Sequence, residues 1–143
     1  MTEEKASQFI LRIDKLTIVD KPSFGKMNSH QMICHCADFF RMAYGTKIAE
    51  ESYSISFDDI KALKKEGKSV PAPKGFGQVE GGGTKPTNFE NDKDILRGFI
   101  LKFIDLPEGF NFAAHPIFGE MDYTGWSELA IYHLEHHLKQ FNL

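Results

Sequence analysis

The sequence predicts an all-α protein: a four-helix bundle with one extra short helix and a long Gly/Pro-rich loop. Three observations carry that prediction. Apolar residues recur at intervals of three and four over four separate stretches. No segment alternates apolar and polar residues for more than a few positions, as a half-buried strand does. The 143 residues suffice for one domain with a substantial core, spanning 1–143 and interrupted by an irregular loop over 68–88.

Taken in order, Ala6, Phe9, Ile10, Ile13 and Leu16 mark an amphipathic helix from about Thr2 to Thr17, followed by turn chemistry at Asp20-Lys-Pro-Ser-Phe-Gly25. Asn28 or Ser29 caps a second helix that runs to about Tyr44 and stops at Gly45. Its inner face is Met32, Ile33, Cys36, Phe39, Phe40 and Ala43; His35 sits at the edge of that face, and His30 reads as solvated. Ser56 to Gly67 has a Ser cap, acidic first turn, basic last turn and Gly stop, which makes a short helix. Lys68 to Asn88, with three Pro and Gly81-Gly82-Gly83, reads as a plain linker in preference to a lid. It is no phosphate loop, since no Gly-Lys-Ser/Thr follows. Helical period returns over Asn91–Ile104 with Ile95, Leu96, Phe99, Ile100 and Phe103 inward. His115-Pro then forms a turn before a last helix capped at Thr124.

Composition removes several classes of function. A net charge of −3 leaves no basic footprint for nucleic acid. The first residues, Met-Thr-Glu-Glu-Lys, are acidic where a secretory signal needs a basic end and an apolar core. No apolar run approaches the ~18 residues of a membrane span. A cytoplasmic protein without nucleic-acid or membrane partners is expected. Cys34 and Cys36 diverge on their helix and cannot bridge each other. They read as reduced thiols, Cys36 in the core and Cys34 toward the polar side.

The last helix, from Trp126 to Phe141, carries the strongest functional signal. Trp126, Ala130, Leu134 and Phe141 mark its apolar face, with Leu129 on one flank. His133 and His137 fall in the middle of that face, within roughly 40° of each other on the wheel. Leu or Ile normally occupies such positions, and an imidazole left unsatisfied there costs about 1–3 kcal/mol. Two readings stay open: core histidines hydrogen-bonded inside the protein, or two nitrogens one turn apart that reach one metal ion. His136 lies on the flank. A zincin motif is absent, since Glu135 is two past His133 and faces the other side as a solvent-exposed residue. The inverted zincin motif is absent too, and no Glu lies three before a His as in di-iron bundles. A three-nitrogen site with open coordination is the best remaining metal geometry.

With Ser29-His-Gln-Met-Ile-Cys-His35, His115-Pro-Ile-Phe-Gly119 and Trp126 through His133-Leu-Glu-His-His137-Leu-Lys-Gln-Phe141, the chain resembles the DinB/YfiT-like superfamily, closest to an uncharacterised branch. The resemblance spans nearly the whole chain. It implies an up-down-down-up bundle in which His35 meets His133 and His137 as a third metal ligand. Ni, Zn, Fe or Mn all suit three imidazoles. It further implies a metal-dependent enzyme that activates water or a low-molecular-weight thiol, of S-transferase or hydrolase type, on a small-molecule substrate. The 68–88 loop matches no substrate-binding motif of that family. A non-catalytic bundle, with a structural metal or none, and a metal-sensing protein are the alternatives. No general base stands out; Asp38, Tyr44 and His136 are candidates to support the site, each reading first as a surface or packing residue. A homodimer is allowed but not selected.

Overall fold

The computed structural model describes residues 1–49, 57–66, 70 and 72–143. Among these there are five helices and no strand: α1 (Glu3–Lys15), α2 (Ser29–Ala43), α3 (Phe57–Lys65), α4 (Phe89–Ile104) and α5 (Tyr123–Lys139). The all-α prediction holds. Ser56 and Gly67, the expected cap and stop of the short helix, lie outside the described residues, as do 68, 69 and 71 of the irregular loop. No described helix is long and apolar enough to cross a membrane.

Each long helix starts where a side chain satisfies an otherwise unpartnered backbone N–H. Thr2 accepts from Lys5 N, Asn28 from Gln31 N within a capping box, and Asn88 from Asn91 N. The last helix is capped by Asp122, which accepts from Gly125 N, and not by Thr124. A carboxylate two residues earlier is the better partner for a positive helix end. Gly45 takes φ 69° after Tyr44 and ends α2 as expected.

The helices pack so that α4 and α5 each touch both α1 and α2. One apolar cluster joins Phe9 and Ile13 of α1, Met32, Ile33 and Phe40 of α2, Leu96, Ile100 and Phe103 of α4, and Trp126, Ala130 and Leu134 of α5. Full burial of side chains of this size is worth about 1.5–3 kcal/mol each. Ile95 does not join them and is 40% exposed. The inner stripe of α4 runs Phe89, Asp92/Lys93, Leu96, Ile100, Phe103, which leaves position 95 on the flank. Lys93 earns its inner place by donating to Leu16 O at 3.0 Å and Asp14 O at 3.3 Å, closing the C-terminal carbonyls of α1.

Helix α2 is buried on nearly every side, and this overturns two expectations. Cys34 is 2% exposed and does not lie on a polar face. His30 is not solvated but pairs with Asp92 of α4, Nε2 to Oδ2 at 2.8 Å. Asp38, expected as a surface or packing residue, is fully buried, which is the latter of these. It accepts from Arg41 Nη1 (2.9 Å), Lys47 Nζ (2.6 Å), Thr84 N (2.8 Å) and Thr84 Oγ1 (2.5 Å). Burial alone pushes this carboxyl up, but the hydrogen bonds from Lys47 and Thr84 outweigh it and hold it below the usual carboxylate range.

The Thr84 contacts make the described part of the 68–88 segment a folded turn, not a plain linker. Gly82 N and Gly83 N both donate to Gly77 O at 2.9 Å, and Gln78 Nε2 donates to Thr84 O at 3.0 Å. A Cβ on Gly82 would lie 3.1 Å from the Cα of Gly75, so the close approach of the two backbones requires glycine. Phe76 is 2% exposed and pins the turn to the core. Asp38→Ala should therefore destabilise the fold by about 2–3 kcal/mol, near the lower end for breaking a buried pair because Lys47 and Arg41 keep some solvent. Urea denaturation reads that loss, and limited proteolysis should show cleavage appearing first within 72–88.

Candidate metal centre

His35 comes from α2, and His133 and His137 from successive turns of α5. One nitrogen from each of the three lies within 4.8 Å of the others. The ring centroids are 4.8 Å apart for 35–133, 4.6 Å for 35–137 and 4.5 Å for 133–137. Helical spacing produces the pair on α5. The packing of α2 against α5 brings in the third ring.

Two of the rings are oriented from behind. His137 Nδ1 lies 3.0 Å from Gln140 Oε1 and His35 Nδ1 lies 3.4 Å from the carbonyl of Phe76. Both oxygens can only accept, so each Nδ1 carries the proton and each Nε2 keeps a free lone pair. Gln140 is itself buried, and its own carbonyl accepts from Ser23 N at 2.6 Å and Ser23 Oγ at 3.0 Å. Gly25, at φ 85°, lets that turn close over it, since a Cβ there would meet the Gln140 amide nitrogen at 2.6 Å. His133 stacks on Phe39 at 4.8 Å and 22°. Its Nε2 is buried and has no hydrogen-bond partner among the described residues. The only other such side-chain atom there is Trp126 Nε1.

Electrostatics keep the three imidazoles neutral. Burial lowers His35, and lowers His133 far below the ordinary imidazole value, with His137 and His35 adding repulsion. Burial and His35 lower His137 to about 3. Neutral rings, each with one unprotonated nitrogen, are the protonation state that metal ligation needs.

Residues 89–143 match DUF1569, a protein of unknown function. The matched part holds α4, the His115 turn and α5, and so contains His133, His137 and Gln140 but not His35. No curated protein and no solved structure matches the chain.

Other sequence candidates fall outside the triangle. His136 is exposed and contacts Phe24 and Tyr132 rings on one side and His137 on the other. Tyr44 donates its hydroxyl to Phe99 O at 2.9 Å. Glu135 does not simply face solvent: it bridges Lys5 at 2.7 Å and Arg12 at 3.0 Å, tying α5 to α1. Gln140 and the Phe76 carbonyl went unrecognised in the sequence. Gln140 had a signal, three residues after His137 at the helix end; the carbonyl had none.

His115 is a structural turn residue, as expected. Its backbone exchanges hydrogen bonds with Gly119 at 2.7 and 2.8 Å, and its Nδ1 accepts from Ile117 N (3.1 Å) and Phe118 N (3.3 Å). Burial lowers this ring to about 4. A proton on Nδ1 would oppose two N–H donors, so the folded state binds fewer protons than the unfolded state between about pH 4 and 6.5. The His115 contribution is complete above about pH 6.5 and is lost on acidification toward 4, at most about 3 kcal/mol at 1.36 kcal/mol per pKa unit. NMR titration of the His115 ring, assigned with a His115→Asn variant, should place its midpoint well below that of an exposed histidine.

Proposed function

We propose that His35, His133 and His137 bind one divalent transition metal ion and that the protein is a metal-dependent enzyme of the DinB-like type, with the up-down-down-up helix order of that superfamily. The observation that carries this reading is His133, whose buried Nε2 has no partner among the described residues and whose ring offers one nitrogen within 4.8 Å of those of two further imidazoles. Leaving such an atom unbonded costs about 1–3 kcal/mol. Ligation offsets that cost. Three histidines from two helices form an open donor set of the kind that leaves a position for substrate.

A divalent ion held there supplies Lewis acidity, which brings the pKa of a neighbouring water or thiol toward neutrality. The protein's own contribution is orientation and charge. Gln140 and the Phe76 carbonyl fix the proton of His137 and His35 on the outer nitrogen. Three neutral ligands leave the full double charge of the ion uncompensated, which favours an anionic reactant such as hydroxide or a thiolate. Water or a low-molecular-weight thiol acting on a small electrophile is therefore the favoured chemistry, as hydrolase or S-transferase. Zn, Ni, Fe and Mn all fit three imidazoles.

Untagged protein should contain transition metal, and His133→Ala should remove about one equivalent per chain while the far-ultraviolet circular dichroism is retained. Elemental analysis of the two proteins makes the comparison; equal metal content rejects the site. Gln140→Ala should weaken affinity about 10–100-fold, the usual effect of removing a ligand's supporting hydrogen bond, measured by competition with a chromogenic chelator. Metal-dependent thiol conjugation or ester hydrolysis that disappears in His133→Ala supports catalysis. A chelator that lowers the melting temperature of the wild type but not of His133→Ala, in a protein inactive toward both substrate types, indicates a structural ion at this site instead.

A further inference from the structure

We propose a second metal site, formed by His30, Cys34 and Asp92, that takes a borderline-soft divalent ion such as Zn²⁺ and joins α2 to α4. One donor atom from each residue lies within 4.8 Å of the others. His30 and Cys34 are four apart on α2, the same one-turn spacing as His133 and His137 on α5, so a chelating pair faces α4. Asp92 answers from the first turn of α4, already 2.8 Å from His30 Nε2. Ligand atoms on a tetrahedral zinc ion stand roughly 3.3–3.8 Å apart at ordinary bond lengths of 2.0–2.3 Å. An ion bound there would draw the three donors closer than they stand without it.

The surroundings resemble the supporting structure of a ligand set. Asp92 is oriented by Thr87, whose N donates at 2.9 Å and whose hydroxyl lies 3.3 Å from both carboxylate oxygens. The His30 ring is held edge-on to Phe89 at 5.3 Å. Cys34 is 2% exposed, and the side chains of His30 and Asp92 retain only 15% and 10% of their surface. The ammonium of neighbouring Lys93 is directed to the Leu16 and Asp14 carbonyls.

Charge separates this site from the three-histidine one. A thiolate and a carboxylate neutralise a divalent ion, so the complex carries little charge into a nearly dry environment. Uptake releases the thiol proton of Cys34 to solvent, and His30 presents a deprotonated ring nitrogen to the ion. Three protein donors leave the fourth position of a tetrahedral ion to water here too, so the two sites differ in net charge and not in the number of donors.

Cobalt distinguishes the two sites, because only this one contains sulfur. Titration of metal-free protein with Co²⁺ should give a thiolate-to-cobalt charge-transfer band in the near ultraviolet. The band should be lost in Cys34→Ser and kept in Cys36→Ser and in His133→Ala. Asp92→Asn should shift the midpoint of its appearance to at least about tenfold higher Co²⁺. Absence of the band in the wild-type protein at saturating Co²⁺ overturns the proposal and shows a hydrogen-bonded His–Asp–Cys cluster only. A band that persists in Cys34→Ser also overturns it. Retention of the band in His133→Ala keeps this result independent of the three-histidine site.

Discussion

Helix α2 is wrapped by its neighbours, and each polar group along it has to find its partner inside the protein. Ser29 donates to Ile18 O at 3.1 Å, and His30 reaches Asp92 on α4. His35 meets the Phe76 carbonyl and the histidines of α5, and Asp38 gathers Arg41, Lys47 and Thr84. Each of these pairings fixes a different neighbour: the turn after α1, then α4, then α5 and the glycine-rich turn. The bundle is organised as much by what α2 must satisfy as by the apolar residues around it.

The three-histidine triangle illustrates the same constraint in its least satisfied form. Two rings have a carbonyl oxygen behind them, one from a side chain and one from the backbone. The third ring has aromatic packing on its face and no partner for Nε2 among the described residues. Hydrogen bonds and burial thus act together, the first choosing the tautomer and the second keeping all three rings uncharged.

Periodicity made the helices legible, because burial of one face at 3.6 residues per turn leaves its imprint on side-chain type. The same signal picked out His133 and His137, which interrupt an apolar face. It failed on α2, where a central helix has little solvent face to define a polar side, so Cys34 and His30 lie inside against expectation. It failed on the 72–88 turn for another reason: glycine and proline mark irregular backbone equally well when that backbone is packed and when it is not. Only tertiary contacts separate the two, through Thr84 on Asp38 and Phe76 in the core. The helical period places Ile95 inward, whereas Asp92 and Lys93 take the inner positions because their polar groups have buried partners there.

Cys34 and His35 are consecutive residues, and their side chains leave α2 about 100° apart. One therefore turns toward α4 and the other toward α5, so a single helix carries one vertex of the histidine triangle and, with His30, two of the other. A twist of α2 about its axis moves both vertices at once, advancing one toward its helix while withdrawing the other. A slide along the axis is likewise shared by both, at about 1.5 Å per residue. The two clusters are thus geared to the same shaft, and the alignment of either sets a mechanical limit on the other.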